Sequence, residues 1–328
     1  MDNKTNPDKE WIRRLTSGRK AESKVNDAPR SASATRDAKQ PAGKTAGGFG
    51  DVAGMEELKQ MVTESFINVL NHRECAAAYG ITPPSMLFYG PAGCGKTFFA
   101  EKMAEEVGIN FMKVAPDDLA SIYMHGTQEK VGELFRKAEQ QAPVLLFFDE
   151  FDALVPQRNS DPNNYQANEV NEFLCMLNNA NQRGIYVLAA TNHPERIDRA
   201  VLRTGRIDEV IYIDMPDLKA RESLFRLKLS RLPVADDIDY AALAALSQGY
   251  TCSDIDYIVK TAARRMFNAS IRQPRQPYQA ITQSLLADAI AHRSPSVTSR
   301  DLREFERLRS LFSPKDAGLR PATIGFRA

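Results

Sequence analysis

The glycine-rich segment GPAGCGKT, from Gly90 to Thr97, constrains the fold of this chain more than any other stretch. It matches the pattern G-x-x-x-x-G-K-[ST], in which backbone N–H groups of a glycine loop surround a polyphosphate. In that pattern the ammonium of Lys96 neutralises the β- and γ-phosphates, and the hydroxyl of Thr97 binds Mg²⁺. The predicted phosphate-site residues are Gly90, Pro91, Ala92, Gly93, Cys94, Gly95, Lys96, Thr97 and Phe98.

The residues around this loop support the prediction. The segment Ser85 to Tyr89, SMLFY, has the pattern of a short buried strand, and Phe98, Phe99, Met103 and Val107 recur at helical spacing. A strand, a glycine loop and a helix in this order direct a helix N-terminus at an anion. The alternative, a glycine-rich turn with an unrelated lysine, does not account for this context.

A second polar cluster follows the apolar run Val144 to Phe148, which predicts a fully buried strand. The strand ends at Asp149 and Glu150, and open α/β sheets bind ligands at this end of their strands. One carboxylate there can hold Mg²⁺, and the next can polarise the attacking water as a general base. The alternative is that the two charges cap a neighbouring helix.

Three further segments have strand patterns: Asn110 to Ala115, Gly184 to Asn192, and Glu209 to Asp214. The second of them ends in the polar residue Asn192, which we expect to lie level with Glu150. After residue 217 the composition becomes helical, and one helix has an apolar stripe at i, i+3, i+4 and i+7. The stripe consists of Ile255, Ile258, Val259, Ala262, Ala263 and Met266.

The overall composition narrows the functional classes. A length of 328 residues predicts about two domains, and a hydrophobic content of 43% with 26% charged residues is typical of a soluble globular protein. Lys and Arg number 43 against 42 Asp and Glu, so the net charge of +1 argues against nucleic acid as a partner. The chain lacks a run of 18 apolar residues and an apolar N-terminal block, so we expect a cytoplasmic protein without a transmembrane segment.

The first 50 residues carry eleven basic and six acidic side chains and little that could form a core. They predict a disordered tether. Trp11, Ile12 and Leu15 could give one or two helical turns an apolar face. This stretch is either a recruitment motif for an adaptor or a tail with an accidental tryptophan.

From Phe49 to about Phe312 the chain resembles an AAA+ ATPase, of the clade that includes valosin-containing protein, katanin and the membrane-anchored AAA proteases. The resemblance implies an α/β fold: a P-loop three-layer αβα sandwich with a parallel five-stranded sheet, plus a C-terminal helical lid domain. The implied segments are a tether at 1–48, the large ATPase domain at 49–216, the lid at 217–312 and a C-terminal arm at 313–328.

The resemblance also assigns roles to residues. The strand LLFFDE is similar to the family's Walker B strand, and the segment AATN to its sensor, which falls on Asn192. IDRAVLRTGRID resembles the segment whose two arginines, here Arg203 and Arg206, reach the nucleotide of a neighbouring subunit. DVAG resembles the loop that holds adenine through its backbone. Its residues are Asp51, Val52, Ala53 and Gly54.

The family's pore loop aligns with Tyr123, Met124 and His125, whose aromatic and flexible side chains would grip a polypeptide. His125 replaces the usual glycine and would stiffen the loop or make its grip pH-sensitive. The alternative is that Tyr123 packs against its own domain. At the second sensor, Cys252 replaces a glycine and would crowd the approach of adenosine.

These motifs imply an ATPase with ATP and Mg²⁺ as cofactors, acting as a homo-oligomer, in this family a hexamer. Hydrolysis would remodel, unfold or disassemble a protein substrate through the central pore. The alternative is an AAA+ switch or loader that acts on nucleic acid or a folded partner without threading it. An adaptor that binds ATP without hydrolysis is disfavoured because Glu150 and both arginines are present. The absence of an HExxH motif argues against a protease of the membrane-anchored AAA kind.

Overall fold

A parallel sheet of five strands forms the centre of the chain. The computed structural model describes residues 47–115, 127–157, 173–178, 180–203, 205–272 and 279–312. The strands are β1 (Met86–Tyr89), β2 (Asn110–Val114), β3 (Val144–Phe148), β4 (Ile185–Thr191) and β5 (Glu209–Tyr212). Their order is β2-β3-β4-β1-β5, and every pair is parallel. The predicted α/β fold with a five-stranded parallel sheet is confirmed.

The sheet is covered on both faces, so its central strands are apolar along their whole length. Every residue of β3 and β4 is buried. Side chains alternate between the faces: Leu145 and Phe147 lie in one core, and Leu146 and Phe148 lie in the other. This gives the three layers of the predicted αβα sandwich.

Helices form the outer layers and the C-terminal region. The helices are α1 (Glu56–Val62), α2 (Asn68–Asn71), α3 (Arg73–Ala78), α4 (Lys96–Val107), α5 (Thr127–Gln140), α6 (Phe151–Leu154), α7 (Leu218–Leu229), α8 (Tyr240–Leu246), α9 (Cys252–Arg272), α10 (Gln283–Ala291) and α11 (Ser299–Phe312). A π-helical turn, Thr63–Ile67, joins α1 to α2. Residues 173–177 are also helical. Among the described residues, no helix is both long and apolar enough to cross a membrane.

The helices after residue 217 enclose a core of their own, as expected for the helical C-terminal region. Phe225, Leu243, Ile255 and Ile258 are fully buried in it. Three of these helices begin at capping residues whose side chains accept a hydrogen bond from a backbone N–H of the first turn. The capping residues are Asp217 for α7, Asp239 for α8 and Thr282 for α10. The boundary between residues 216 and 217 stays a prediction.

The last helix, α11, packs at the carboxyl ends of β1 and β5. Its first turn is closed by a capping box. Thr298 Oγ1 donates to Asp301 Oδ2 at 2.7 Å, and the backbone N–H of Asp301 donates back at 3.3 Å. The ring centroid of Phe312 lies 5.5 Å from that of Tyr89, and Phe305 lies 6.3 Å from Tyr212. One aromatic contact therefore holds α11 beside β1, which leads into the glycine loop, and the other holds it beside β5.

A buried carboxylate organises the start of α9. The side chain of Asp254 is fully buried and accepts hydrogen bonds from Thr251, Ser296 and Arg293. Burial alone would raise the pKa of Asp254, but these hydrogen bonds outweigh it and lower the pKa to about 2. The carboxylate therefore joins α9 to the segment between α10 and α11.

We expect Asp254→Asn to lower the free energy of unfolding by about 2 kcal/mol at pH 7, because Arg293 would lose its charged partner. The depressed pKa means that this stabilisation is present above the unfolded-state pKa, about 3.9, and is lost as pH falls towards 2. Urea unfolding between pH 3 and 7 measures it. The difference between wild type and variant should shrink at low pH, whereas the exposed control Asp237→Asn should change stability little at any pH.

Candidate active site

The glycine loop between β1 and α4 has a backbone that requires glycine. Gly93 and Gly95 have φ angles of 79° and 90°, in the left-handed region that other residues rarely adopt. Gly95 is also the N-cap of α4. Backbone N–H groups at a helix N-terminus and in such a loop form an anion site without any side chain. The geometry therefore fits the predicted polyphosphate.

This loop is in direct contact with the C-terminal region. The backbone N–H of Ser253 donates to the carbonyl of Gly93 at 3.1 Å. A Cβ on Gly93 would lie 2.9 Å from Thr251 Oγ1, closer than side-chain carbons normally approach. The glycine at this position is thus required by its φ angle and by the proximity of the start of α9.

Lys96 lies over the glycine loop that precedes it. Its ammonium donates to the carbonyls of Gly90 and Pro91, each at 2.8 Å, and the side chain is buried. Burial lowers the pKa of Lys96 to about 8, although Cys94 and Asp149 act in the opposite direction. Because this pKa lies above 7, the charged form of Lys96 predominates at neutral pH.

The predicted metal ligands lie next to each other. Thr97, in the first turn of α4, donates its hydroxyl to Asp149 Oδ2 at 3.2 Å. Asp149 directly follows β3, and its backbone N–H continues the ladder to β2 by donating to Val114 at 3.2 Å. A hydroxyl and a carboxylate are oxygen ligands of the kind that Mg²⁺ prefers. The donor set therefore fits the divalent metal that the motif requires.

A lysine that the sequence analysis did not single out also reaches this carboxylate. Lys113, the fourth residue of β2, places its Nζ 2.8 Å from Asp149 Oδ2. The sequence signal that could have indicated Lys113 was its charge near the carboxyl end of a predicted strand. The sequence alone did not show that the end of β2 lies beside Asp149.

Glu150, the predicted general base, has a left-handed backbone with φ of 47° and ψ of 48°. A non-glycine residue in this region is uncommon and is found preferentially at functional sites. The conformation ends β3 and starts α6, and the side chain of Glu150 is exposed. An exposed carboxylate on such a turn is available to a water molecule.

The turn that carries Asn192 is tied to the turn that carries Glu150. The hydroxyl of Thr191 donates to Asp152 Oδ1 at 2.5 Å and accepts from the N–H of His193 at 2.8 Å. Asn192 Oδ1 is buried and has no hydrogen-bond partner among the described residues. An unpartnered buried oxygen is unfavourable, and it is consistent with a group that acts on a ligand.

The two predicted arginines differ in their surroundings. The guanidinium of Arg206 donates to the carbonyl of Ala200 at 2.9 Å and to Asn178 Oδ1 at 3.4 Å. Arg203 is exposed, and its guanidinium forms no hydrogen bond or ion pair with any other described residue. Of the pair, Arg203 is therefore the one with a guanidinium that can reach beyond its own fold.

A cavity of about 320 Å³ adjoins the glycine loop. It is lined by four segments, at 51–55, 93–99, 224–228 and 252–260. The predicted nucleotide residues that line it are Asp51, Val52, Ala53, Gly93, Cys94, Gly95 and Phe98. The predicted residues that do not line it are Gly54, Gly90, Pro91, Ala92, Lys96 and Thr97. Since Lys96 and Thr97 mark the phosphate end beside this cavity, the cavity itself can take a nucleoside.

The segment at 51–55 is held in place by α4. Asp51 forms an ion pair with Lys102 at 3.0 Å, and the backbone N–H of Phe49 donates to Glu106 Oε2 at 3.0 Å. The ring of Phe49 stacks on Phe99 with centroids 5.2 Å apart. The same helix thus positions the phosphate loop and the segment that resembles the adenine-binding loop.

The helical region contributes a wall of the cavity that the sequence analysis did not specify in detail. Leu224 and Leu227 supply apolar surface, and Asp256 forms ion pairs with Lys228 at 2.8 Å and Lys260 at 2.6 Å. Cys252, expected to crowd adenosine, lines the cavity, and burial raises the pKa of its thiol to about 11. The nucleoside end would therefore meet a neutral thiol.

The remaining predicted residues cannot be placed. Tyr123, Met124 and His125 of the predicted pore loop lie outside the described residues. The same holds for Trp11 of the predicted recruitment motif and for the predicted arm at 313–328. Their roles stay predictions.

Most of the chain is similar in sequence to known proteins. Residues 86–215 match the family described as "ATPase family associated with various cellular activities (AAA)". The chain is 34% identical over 269 residues to the "Cell division cycle protein 48 homolog" of Archaeoglobus fulgidus, covering 79% of this chain and 37% of that protein. It is 34% identical over 226 residues to the "Putative cell division cycle ATPase" of Plasmodium falciparum, covering 68% of this chain and 18% of that protein. The chain thus spans well under half the length of either relative.

We expect Gly93→Ala to weaken ADP binding at least about tenfold, because the new Cβ would strain the loop and displace Thr251. Isothermal titration calorimetry measures this affinity. Gly108→Ala is the matched control: Gly108 has a similar φ of 76°, but a Cβ added there would meet no atom within 4 Å. It should lower thermal stability through the same backbone strain and leave ADP affinity unchanged. Equal losses of affinity would contradict the assigned contact.

Proposed function

This chain belongs to the AAA family of ATPases, and we propose that it hydrolyses ATP as a hexameric homo-oligomer that remodels a protein substrate. The two relatives are named as cell division cycle proteins, and the second is named as an ATPase. The proposal for this chain rests on the arrangement of its phosphate-site residues and on the position of Arg203.

The residues that would hold MgATP are distributed over three elements. The glycine loop and Lys96 would bind the β- and γ-phosphates, and Thr97 with Asp149 would hold the metal. When bound, the metal would supply positive charge that offsets the negative charge developing on the phosphate oxygens. The segment at 51–55 and the start of α9 would enclose the nucleoside.

Hydrolysis requires a base for the attacking water and a group that responds to the γ-phosphate. Glu150 is proposed to take the proton from water, since it follows Asp149 on an exposed turn. Asn192 is proposed to donate a side-chain N–H to the γ-phosphate, whereas its buried oxygen, which has no partner among the described residues, can only accept a hydrogen bond, for example from the attacking water. The Thr191–Asp152 hydrogen bond would hold the turns that carry Glu150 and Asn192 close to each other.

One observation supports action as an oligomer above the others. Phosphoryl transfer is accelerated by an arginine that stabilises the charge developing on the γ-phosphoryl group, by about three to five orders of magnitude. Arg203 is exposed, and its guanidinium forms no hydrogen bond or ion pair with another described residue. We therefore assign it to the site of a neighbouring copy. Arg206, whose guanidinium is bonded to Ala200, would hold the loop that presents Arg203.

We expect Glu150→Gln and Arg203→Ala to be inactive separately and active when mixed. Glu150→Gln subunits keep the arginine and lose the base, whereas Arg203→Ala subunits keep the base and lose the arginine. In a random one-to-one ring, about a quarter of the sites would combine a working base with a working arginine. Steady-state ATPase assays of the mixture measure this recovery.

Mixing each variant with itself is the control. A mixture that stays inactive would argue against an arginine acting in trans. Full hydrolysis by Glu150→Gln alone would remove Glu150 from its role. Size-exclusion chromatography with light scattering should show that both variants still assemble, because neither change removes a side-chain contact inside the described fold.

Substrate handling is proposed to use Tyr123, Met124 and His125, on the basis of the resemblance alone. We expect Tyr123→Ala to abolish the stimulation of ATPase activity by an unfolded model polypeptide, because the polypeptide would lose its apolar contact with the tyrosine ring. ATP turnover without polypeptide should persist. The matched control is Tyr79→Ala, since Tyr79 is an exposed tyrosine outside the predicted pore loop. If Tyr123→Ala behaves as wild type, the alternative of a switch or loader that does not thread its partner is favoured.

A further inference from the structure

The ion pair between Lys113 and Asp149 occupies the predicted metal site. Lys113 Nζ lies 2.8 Å from Asp149 Oδ2. The same oxygen accepts the hydroxyl of Thr97 at 3.2 Å. One carboxylate oxygen therefore serves both an ammonium group and the hydroxyl that the phosphate-loop motif assigns to the metal.

The position of Lys113 is set by the sheet. Lys113 is paired in register with Phe147 of β3, one residue before the end of each strand. Phe111, two residues earlier on the same face of β2, contacts the ring of Phe147 at 5.8 Å. That face is covered by α4, since Phe147 shares a core with Phe99. Lys113 thus points towards the side of the sheet from which Thr97 approaches Asp149.

Lys113 can leave the carboxylate without disturbing the core. Its side chain is 44% exposed, whereas the side chain of Asp149 is 27% exposed. Among the described residues, Lys113 forms an ion pair with Asp149 and with no other acidic side chain. The aliphatic stem can therefore swing into solvent while β2 stays paired with β3.

An ammonium and a divalent cation beside one carboxylate repel each other and need the same lone pairs. We propose that Lys113 is a positioning residue that competes with Mg²⁺ for Asp149 and so sets the Mg²⁺ concentration needed for tight nucleotide binding. Without metal, Lys113 neutralises Asp149 and lowers its repulsion of the phosphates. When Mg²⁺ binds Asp149, the ammonium of Lys113 has to leave the carboxylate. The inference rests on the proposed function, because it requires that Asp149 serve the metal.

This competition predicts two opposite effects of one substitution. In Lys113→Gln, ADP binding in EDTA should weaken, because Asp149 would face the phosphates without a counter-charge. The MgCl₂ concentration that gives half of the full gain in ADP affinity should fall, because the competitor is gone. Each change should be roughly three- to fivefold, as for a partly exposed ion pair. Calorimetric titrations of the full-length chain with ADP, across a series of MgCl₂ concentrations, measure both.

Three variants sharpen the test. Lys113→Arg keeps the charge and should resemble wild type in both measurements. Lys137→Gln removes an exposed lysine from α5 and should change neither. In an Asp149→Asn background, Lys113→Gln should no longer lower the half-saturating MgCl₂ concentration, because the carboxylate for which the two cations compete is absent.

The outcomes separate the inference from the proposed function. Affinities that weaken together in EDTA and in MgCl₂ would show a structural role for Lys113 and overturn the inference. An unchanged or higher half-saturating MgCl₂ concentration would also overturn it. A wild-type chain whose ADP affinity does not depend on MgCl₂ would overturn the proposed metal site itself, and the inference with it.

Discussion

The hydrogen bond from the N–H of Ser253 to the carbonyl of Gly93 connects the two parts of the nucleotide site. The phosphate end is built on the sheet, whereas the nucleoside end is completed by α7 and α9 of the C-terminal helical region. This bond sets the distance between them. Asp254 stabilises the Ser253–Gly93 contact, because its hydrogen bonds fix the first turn of α9. The fully buried carboxylate thus acts on the site without contacting it.

Charge is distributed unevenly around the site. Lys96 and Lys113 both lie near the carboxylate of Asp149, so the proposed metal site lies beside two cationic side chains. Arg203, by contrast, lies exposed at the end of a 3-10 helical turn. Placing the catalytic guanidinium on a neighbouring copy would make each site incomplete until the ring closes. Hydrolysis would then depend on assembly.

The buried strands and their polar ends could be predicted because the physical signal is local. The five apolar residues before Asp149 need two covered faces, and this requirement fixed both the strand and the end at which Asp149 and Glu150 lie. The glycine loop was predictable for the same reason, since its backbone excludes other residues. The resemblance supplied the adenine-side segment at 51–54, of which Asp51, Val52 and Ala53 line the cavity.

The missed features depend on contacts between distant segments. Lys113 reaches Asp149 because β2 lies next to β3, and no short stretch of sequence specifies the order of the strands. Asp256 and its two lysines face the cavity because α9 packs against α7. Arg203 and Arg206 are the same residue type three positions apart, and only tertiary structure shows that one guanidinium is bonded within its own fold.

The contact between Phe312 and Tyr89 connects the end of α11 to the strand that leads into the site. Tyr89 is the last residue of β1 and directly precedes the glycine loop. A load that draws α11 outward would therefore reach the glycine loop through the Phe312–Tyr89 contact, whereas the Phe305–Tyr212 contact would carry it to β5. A substitution that removes the ring of Phe312 would therefore leave the residue before the glycine loop without this aromatic contact.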